Sequence, residues 1–90
     1  MNKSDLINAM AEDAGITKAA AKKSLESFLG NVEKTLKKGD RVSLVGFGSW
    51  SVAHRAAREG RNPQTGKTIQ IAAKNVVRFR PGSGLKDAVN

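Results

Sequence analysis

The spacing of apolar side chains changes from helical to alternating just after Gly39, and no other feature of the sequence limits the possible folds as strongly. In residues 2–14 and 17–38, apolar side chains recur every three or four positions, which predicts two amphipathic helices. From Arg41 onward they alternate with polar side chains, which predicts strands with one buried face. Helices that precede strands along the chain predict an α+β fold.

Local capping signals predict where the two helices begin and end. Asn2, followed three residues later by Asp5, has the pattern of a capping box, and Gly15 is a natural C-terminal stop. Thr17 can cap the second helix, and Gly39 can end it after about residue 38.

The second half of the chain predicts a three-stranded antiparallel sheet. Residues 42–44 and 50–52 alternate around a turn at 46–48, which is typical of a β-hairpin, and residues 77–79 form a later strand of the same kind. Pro81 and Gly82 end that strand, and Ser83 is predicted to cap a short final helix.

The small size of the chain predicts that a second copy completes its core. A chain of 90 residues buries only roughly 60 % of its unfolded surface.

The chain has no cysteine for disulfides and no cluster of histidines or cysteines for a structural metal, and we expect no cofactor. Since it shows neither a secretory signal nor an apolar run of membrane-spanning length, we expect it to be cytoplasmic. The only aromatic residues are Phe28, Phe47, Trp50 and Phe79.

Positive charge is concentrated in the second half of the sequence. The formal net charge is +8; residues 1–40 hold 7 basic and 6 acidic residues, whereas residues 41–90 hold 9 basic and 2 acidic ones. Such asymmetry predicts a polyanionic partner, although on charge alone a basic surface can also serve solubility.

Residues 53–75 are predicted to form a basic arm. Ile69 and Ile71 are the only large apolar residues in this segment, so its strands have too little apolar surface to fold onto a core. The sequence Asn-Pro-Gln-Thr-Gly at 62–66 predicts a turn at the tip. The basic residues of the arm are Arg55, Arg58, Arg61, Lys67 and Lys74.

A two-stranded basic ribbon can enter a DNA groove and neutralise phosphates without reading sequence. Arginine is favoured in narrow minor grooves, where the negative potential is strong. Pro63 has two interpretations: it can wedge between base pairs, or it can simply build a type I turn.

The arm tip GRNPQTGK at 60–67, with GFGSW at 46–50 and IAAKNVVRFRPGSGLKDAV at 71–89, closely resembles the HU family of bacterial histone-like proteins. The start, MNKSDLINAMAEDAGITKAAAKKSLESFL, is similar too, so the resemblance covers essentially the whole chain. It implies a single domain that forms an intertwined dimer and bends double-stranded DNA in the bacterial nucleoid. Its parts would be a helical body (1–40), a sheet saddle (41–82) with the arm at 53–75, and a C-terminal helix (83–90).

The resemblance also implies roles for individual residues. Members of this family are themselves known examples of proteins that kink DNA with an apolar wedge, and the wedge falls on Pro63. The residues expected to contact DNA are Lys3, Gly46, Arg55, Arg58, Arg61, Asn62, Pro63, Gln64, Lys67, Lys74, Arg80 and Lys86. The residues expected in the dimer core are Phe28, Leu29, Leu36, Leu44, Phe47, Trp50 and Phe79.

The chain departs from the family pattern at three positions. Trp50 stands where many relatives have phenylalanine, and Ser83 with Gly84 replaces the usual basic start of the last helix. One phosphate contact per subunit is then missing, and we expect modestly weaker binding, with Arg78 and Arg80 partly restoring the charge of the saddle.

Other functions remain open at this point. Residues 11–25 resemble a helix-turn-helix, but the second helix continues far beyond a recognition helix. An RNA-binding protein and a sequence-specific relative of integration host factor are further alternatives, and the choice between homodimer and heterodimer is open. His54 is the only histidine, so an enzyme is not expected, and a small-molecule substrate or a membrane partner is not expected either.

Overall fold

A computed structural model describes residues 1–61 and 64–90. The described chain contains three helices and five strands: α1 (Lys3–Ala14), α2 (Lys18–Lys37), β1 (Val42–Leu44), β2 (Gly48–Arg55), β3 (Arg58–Arg61), β4 (Thr68–Ile71), β5 (Lys74–Pro81) and α3 (Ser83–Ala88). The predicted α+β class is confirmed. The chain divides into two units, Met1–Lys34 and Thr35–Asn90. In the described ranges, no helix has the length and apolarity needed to cross a membrane.

The ends of α1 follow from the predicted caps. The Asn2 side chain accepts a hydrogen bond from the Asp5 backbone N–H at 2.9 Å, and the Asp5 carboxylate accepts one from the Asn2 backbone N–H at 3.2 Å. Gly15 takes the left-handed conformation with φ +65°, where a side chain would be strained. The capping box and the glycine stop are therefore both confirmed.

The second helix also begins and ends where its local signals indicate. Thr17 Oγ1 accepts the Ala20 backbone N–H at 3.1 Å, which satisfies one of the free donors of the first turn. At the other end, Gly39 has φ +80° and its N–H donates to the Leu36 carbonyl at 3.0 Å. In the Met1–Lys34 unit, small residues and one leucine are buried: Ala11, Ala21 and Leu25.

The three-stranded sheet has the order β1-β2-β5 with antiparallel pairs throughout. Val42 lies opposite Trp50, which in turn lies opposite Phe79, and Val52 lies opposite Val77. Because successive side chains of a strand point to opposite faces, these residues share one apolar face. We call the other face, with Ser49, Ser51, Arg78 and Arg80, the polar face.

An aromatic cluster lies on the apolar face. The ring centroids of Trp50 and Phe79 are 4.9 Å apart, and Phe47 lies 6.3 Å from Trp50 and 6.1 Å from Phe79. These distances are within the range of favourable aromatic pairs. Even so, Phe47 remains 48 % exposed and Phe79 42 % exposed, so the single chain covers its aromatic cluster only in part.

The start of α3 corrects one expectation. Gly82, not Ser83, occupies the N-cap position, and no side chain caps the helix. The reason is the close approach of the turn between β1 and β2: the Gly82 N–H donates to the Phe47 carbonyl at 2.8 Å, and the Leu85 N–H donates to the Gly46 carbonyl at 3.1 Å. A Cβ on Gly82 would lie 2.9 Å from the Gly46 carbonyl carbon and oxygen, which only a glycine avoids.

The same turn accounts for the unusual glycine in α3. A Cβ on Gly84 would lie 2.7 Å from the Gly46 carbonyl oxygen. Gly84 therefore permits the backbone of the turn to pack closely on the helix, although glycine is a poor helix former.

Candidate nucleic-acid interface

The arm is a separate two-stranded sheet of β3 and β4. Arg58 pairs with Ile71, Gly60 with Ile69, and Arg61 with Thr68. Only Gly60 and Ile71 are half-buried; the other residues of the two strands are exposed. A Cβ on Gly60 would lie 2.9 Å from Ile71 Cδ1, so this glycine lets the isoleucine side chain cross the ribbon. The predicted exposed hairpin is thus confirmed.

The ladder is interrupted at the base of the arm by two alanine pairs. Residues 56–57 separate β2 from β3, and residues 72–73 separate β4 from β5. On the sheet side of this break Arg55 pairs with Lys74, and on the arm side Arg58 pairs with Ile71. The lining of a depression at the break includes Arg55, Arg58 and Lys74, so three cations lie together at the base of the arm.

Near the tip, the structure describes Gln64 to Lys67 but not the two residues before them. Gly66 has φ +71°, and the Lys67 backbone N–H donates to Thr65 Oγ1 at 3.3 Å, which tightens the turn. Arg61, Gln64 and Lys67 are exposed. The predicted contacts of Asn62 and Pro63, including the proline wedge, lie outside the described residues.

One carboxylate interrupts the positive charge of the arm. Glu59 lies opposite Gln70, whose Nε2 donates to Glu59 Oε1 at 3.3 Å.

At the end of the three-stranded sheet, His54 Nδ1 lies 3.0 Å from Asn75 Oδ1, across the β2–β5 pair. The single histidine thus has a cross-strand partner near the arm, which favours a structural role there.

The body residues expected to contact phosphate lie in both units. Lys3 belongs to the helical unit, where its Nζ lies 3.6 Å from Glu26 Oε1 in an exposed ion pair. Exposed pairs of this kind contribute little stability, so Lys3 can exchange its partner for a phosphate at small cost. Lys74, Arg80 and Lys86 are exposed in the second unit. Gly46 lies in the exposed turn with φ +80°.

Two cations that the sequence-based set of DNA contacts omits lie beside Arg80 on the polar face. Arg78 pairs with Ser51 and Arg80 with Ser49, while Arg41 Nη2 donates to Ser49 Oγ at 3.0 Å. The alternation Arg78-Phe79-Arg80 already indicates that both arginines point away from the aromatic cluster. Arg41 precedes β1, and only the pairing of β1 with β2 brings it to Ser49.

The described residues contain no group of three or more histidine, cysteine, aspartate or glutamate side chains placed to hold a metal ion. What they bring together instead is positive charge, at the base of the arm and on the polar face. Such a surface can neutralise phosphates by hydrogen bonds and counterion release.

Comparisons with known proteins agree with this surface. The family model described as Bacterial DNA-binding protein matches residues 1–90. The chain is 58 % identical to the DNA-binding protein HU-beta of Escherichia coli K12 over the full length of both, and 56 % identical to HU-alpha of Aeromonas hydrophila over 99 % of each. An Anabaena HU–DNA cocrystal structure matches with a TM-score of 0.89 and 42 % identity, covering 99 % of this chain and 97 % of the other. The chain belongs to the HU family of bacterial DNA-binding proteins.

Proposed function

We propose that this protein is a histone-like nucleoid protein that binds double-stranded DNA with little sequence preference and bends it with its arms. The observation that carries the proposal is the β3–β4 ribbon, an exposed two-stranded element with Arg58 and Arg61 on β3, Lys67 directly before β4, and almost no core contacts. A relative of the same fold has been crystallised with DNA, and the relatives carry HU names, which favours this function over a sequence-specific or RNA-binding one.

The arm supplies affinity mainly through electrostatics. Each arginine or lysine that meets a phosphate releases condensed counterions, and this term is independent of base sequence. Arginine side chains also favour the narrow minor groove, which offers only a degenerate pattern of base edges. An arm with this composition therefore predicts strong salt dependence and weak sequence preference.

Bending follows from a wedge at the tip of the arm. Pro63 is rigid, apolar and has no backbone N–H to desolvate, which suits it to insertion between base pairs. Unstacking a base step costs roughly a few kcal/mol, which is offset when the bent duplex reaches more basic surface. Residues on either side of the proline, Asn62 and Gln64, would lie against the groove walls.

A second copy of the chain is the partner that the apolar surface requires. Besides Phe47 and Phe79, Phe28 is 39 % exposed and Leu29 47 % exposed in the single chain, and packing against a second copy would remove this apolar surface from water. We assign these residues, with Leu36, Leu44 and Trp50, to a dimer core. A dimer carries two arms, so one duplex is held from two sides.

The test is fluorescence anisotropy over a salt series, with a random linear duplex and the same duplex carrying a gap. We expect affinity to fall steeply with salt and to be higher for the gapped duplex, because a pre-weakened step lowers the cost of the kink. Equal binding to both duplexes would remove the wedge from the proposal and leave Pro63 as a turn residue. Binding to neither, or to one sequence only, would contradict the function as a whole.

A further inference from the structure

Ser83 presents an exposed hydroxyl group at the start of α3. The residue is exposed, and no side chain, its own included, caps the helix. Its neighbours Gly82 and Gly84 have no side chains that could shield the hydroxyl oxygen. A serine hydroxyl that is accessible and not used as a cap is open to covalent modification.

The residues before Ser83 give it a charge pattern that is unique in the chain. Arg80 lies three residues before the serine and Arg78 lies five residues before it, and no other serine or threonine has arginine at both positions. Both arginine side chains are exposed. Protein kinases select their substrates in part by charge, and carboxylates in a kinase substrate groove bind arginines on the N-terminal side of the serine.

The backbone before Ser83 already has the extended shape of a bound peptide. The strand β5 continues to Pro81, and Gly82 follows it with φ −80° and ψ 169°, which is also extended. In the part of the chain that the structure describes, β5 lies at an edge of the three-stranded sheet. An edge strand presents backbone groups and side chains to a partner. A kinase can therefore reach this pattern in the folded protein.

A phosphate on Ser83 would lie among cations to which the proposed function assigns DNA contacts. Lys86 follows three residues later on α3 and is exposed, and residues with this spacing are neighbours on a helix surface. Phosphoserine carries roughly −1.5 to −2 charges at neutral pH and accepts strong hydrogen bonds. It would pair with Lys86 and repel the DNA backbone, so both effects weaken DNA binding.

We propose that Ser83 is a phosphorylation site for an arginine-directed serine kinase, and that its phosphate weakens DNA binding. Ser83 Oγ attacks the γ-phosphorus of ATP, the bond from this phosphorus to the bridging oxygen breaks and releases ADP, and the hydroxyl proton passes to the catalytic aspartate of the kinase. The effect on DNA rests on the proposed function, whereas the modification site does not.

The site is tested by incubating the whole protein with a purified arginine-directed serine kinase and ATP, followed by mass spectrometry of its peptides. We expect phosphate on Ser83, and we expect Arg80→Ala to slow its incorporation about tenfold, because a charge-assisted contact to the kinase is lost. The matched control Lys23→Ala removes one exposed charge from α2 and should leave the rate unchanged. Phosphate confined to other residues, or equal rates for the two variants, would overturn the site.

Anisotropy titrations over a salt series test the effect on DNA. Ser83→Asp is compared with Ser83→Asn, which has nearly the same size but no charge. We expect Ser83→Asp to lower the slope of log affinity against log salt by about one per bound subunit, and the phosphorylated wild type to show a larger decrease. Equal slopes for all three would overturn the effect on DNA binding. Wild-type protein that binds no duplex at low salt would overturn the proposed function, even if Ser83 is phosphorylated.

Discussion

The β3–β4 ribbon and the β1-β2-β5 sheet are both antiparallel, yet their side chains suit them to different tasks. In the three-stranded sheet, alternation separates an apolar face with Trp50 and Phe79 from a polar face with arginines and serines. In the ribbon, both faces are largely exposed and Ile69 and Ile71 are the only large apolar residues. Backbone pairing is antiparallel in both elements, so the area of apolar side chain that can be buried determines which element belongs to the core and which stays exposed for binding.

We expect the greatest loss of stability from a substitution in the aromatic cluster of the three-stranded sheet. Trp50→Ala removes the central ring of the aromatic cluster and should lower the free energy of unfolding by about 3 kcal/mol. Ile69→Ala in the ribbon, where the side chain is exposed, should change it by about 0.5 kcal/mol at most. Urea unfolding at one fixed protein concentration measures both, because a dimer's stability depends on concentration. Equal costs would refute the distinction between the two sheets.

Two substitutions of exposed arginines in the ribbon should weaken DNA binding without unfolding the protein. Arg58→Ala and Arg61→Ala should each weaken binding by about 1 to 2 kcal/mol on every duplex sequence, because a charge-assisted phosphate contact is lost. The slope of log affinity against log salt should flatten at the same time. Anisotropy titrations with two unrelated duplexes measure this, and a loss confined to one sequence would indicate base reading instead.

Pro63→Ala separates bending from affinity. The variant should lose most of the bend and of the preference for a gapped duplex, while its affinity for linear duplex falls by less than about 1 kcal/mol, because the arginines still neutralise phosphates. Energy transfer between dyes at the two duplex ends reports the bend. A variant that bends DNA as the wild type does would show that the proline only builds the turn.

We expect only a slight change in DNA affinity when the negative charge of the ribbon is removed. Glu59→Gln removes the one carboxylate of the ribbon while keeping an acceptor for Gln70. Binding should tighten by about 0.5 kcal/mol, and the salt dependence should become slightly steeper. The matched control is Glu33→Gln on α2, for which we expect a smaller change. Weaker binding of Glu59→Gln would mean that the carboxylate orders the ribbon.

Much of the secondary structure could be predicted because its causes are local. The capping box at Asn2 and Asp5 and the cap at Thr17 join residues three positions apart, so a short local pattern in the sequence predicts both. The predicted cap at Ser83 is wrong, although serine favours N-cap positions, because the turn at Gly46 packs against the start of α3 and Gly82 takes the N-cap position. A contact between segments more than thirty residues apart leaves no local pattern.

The candidate site divides in the same way. The arm cations are visible in the sequence because they lie in a continuous segment with few apolar residues, and alternation alone indicates the direction of Arg78 and Arg80. The place of Arg41 depends on its hydrogen bond to Ser49, eight residues away across a turn.

Periodicity, capping and charge act over short distances, so the residues alone were enough to predict the order of helices and strands, the caps of α1 and α2, the exposed basic arm and the family. The fold was needed to show that Arg41 joins Arg78 and Arg80 on the polar face, where α3 begins, and how much of the aromatic cluster a single chain leaves exposed. Those features depend on strand register and on close backbone contacts between segments that are distant in the sequence, and neither can be predicted from one segment alone.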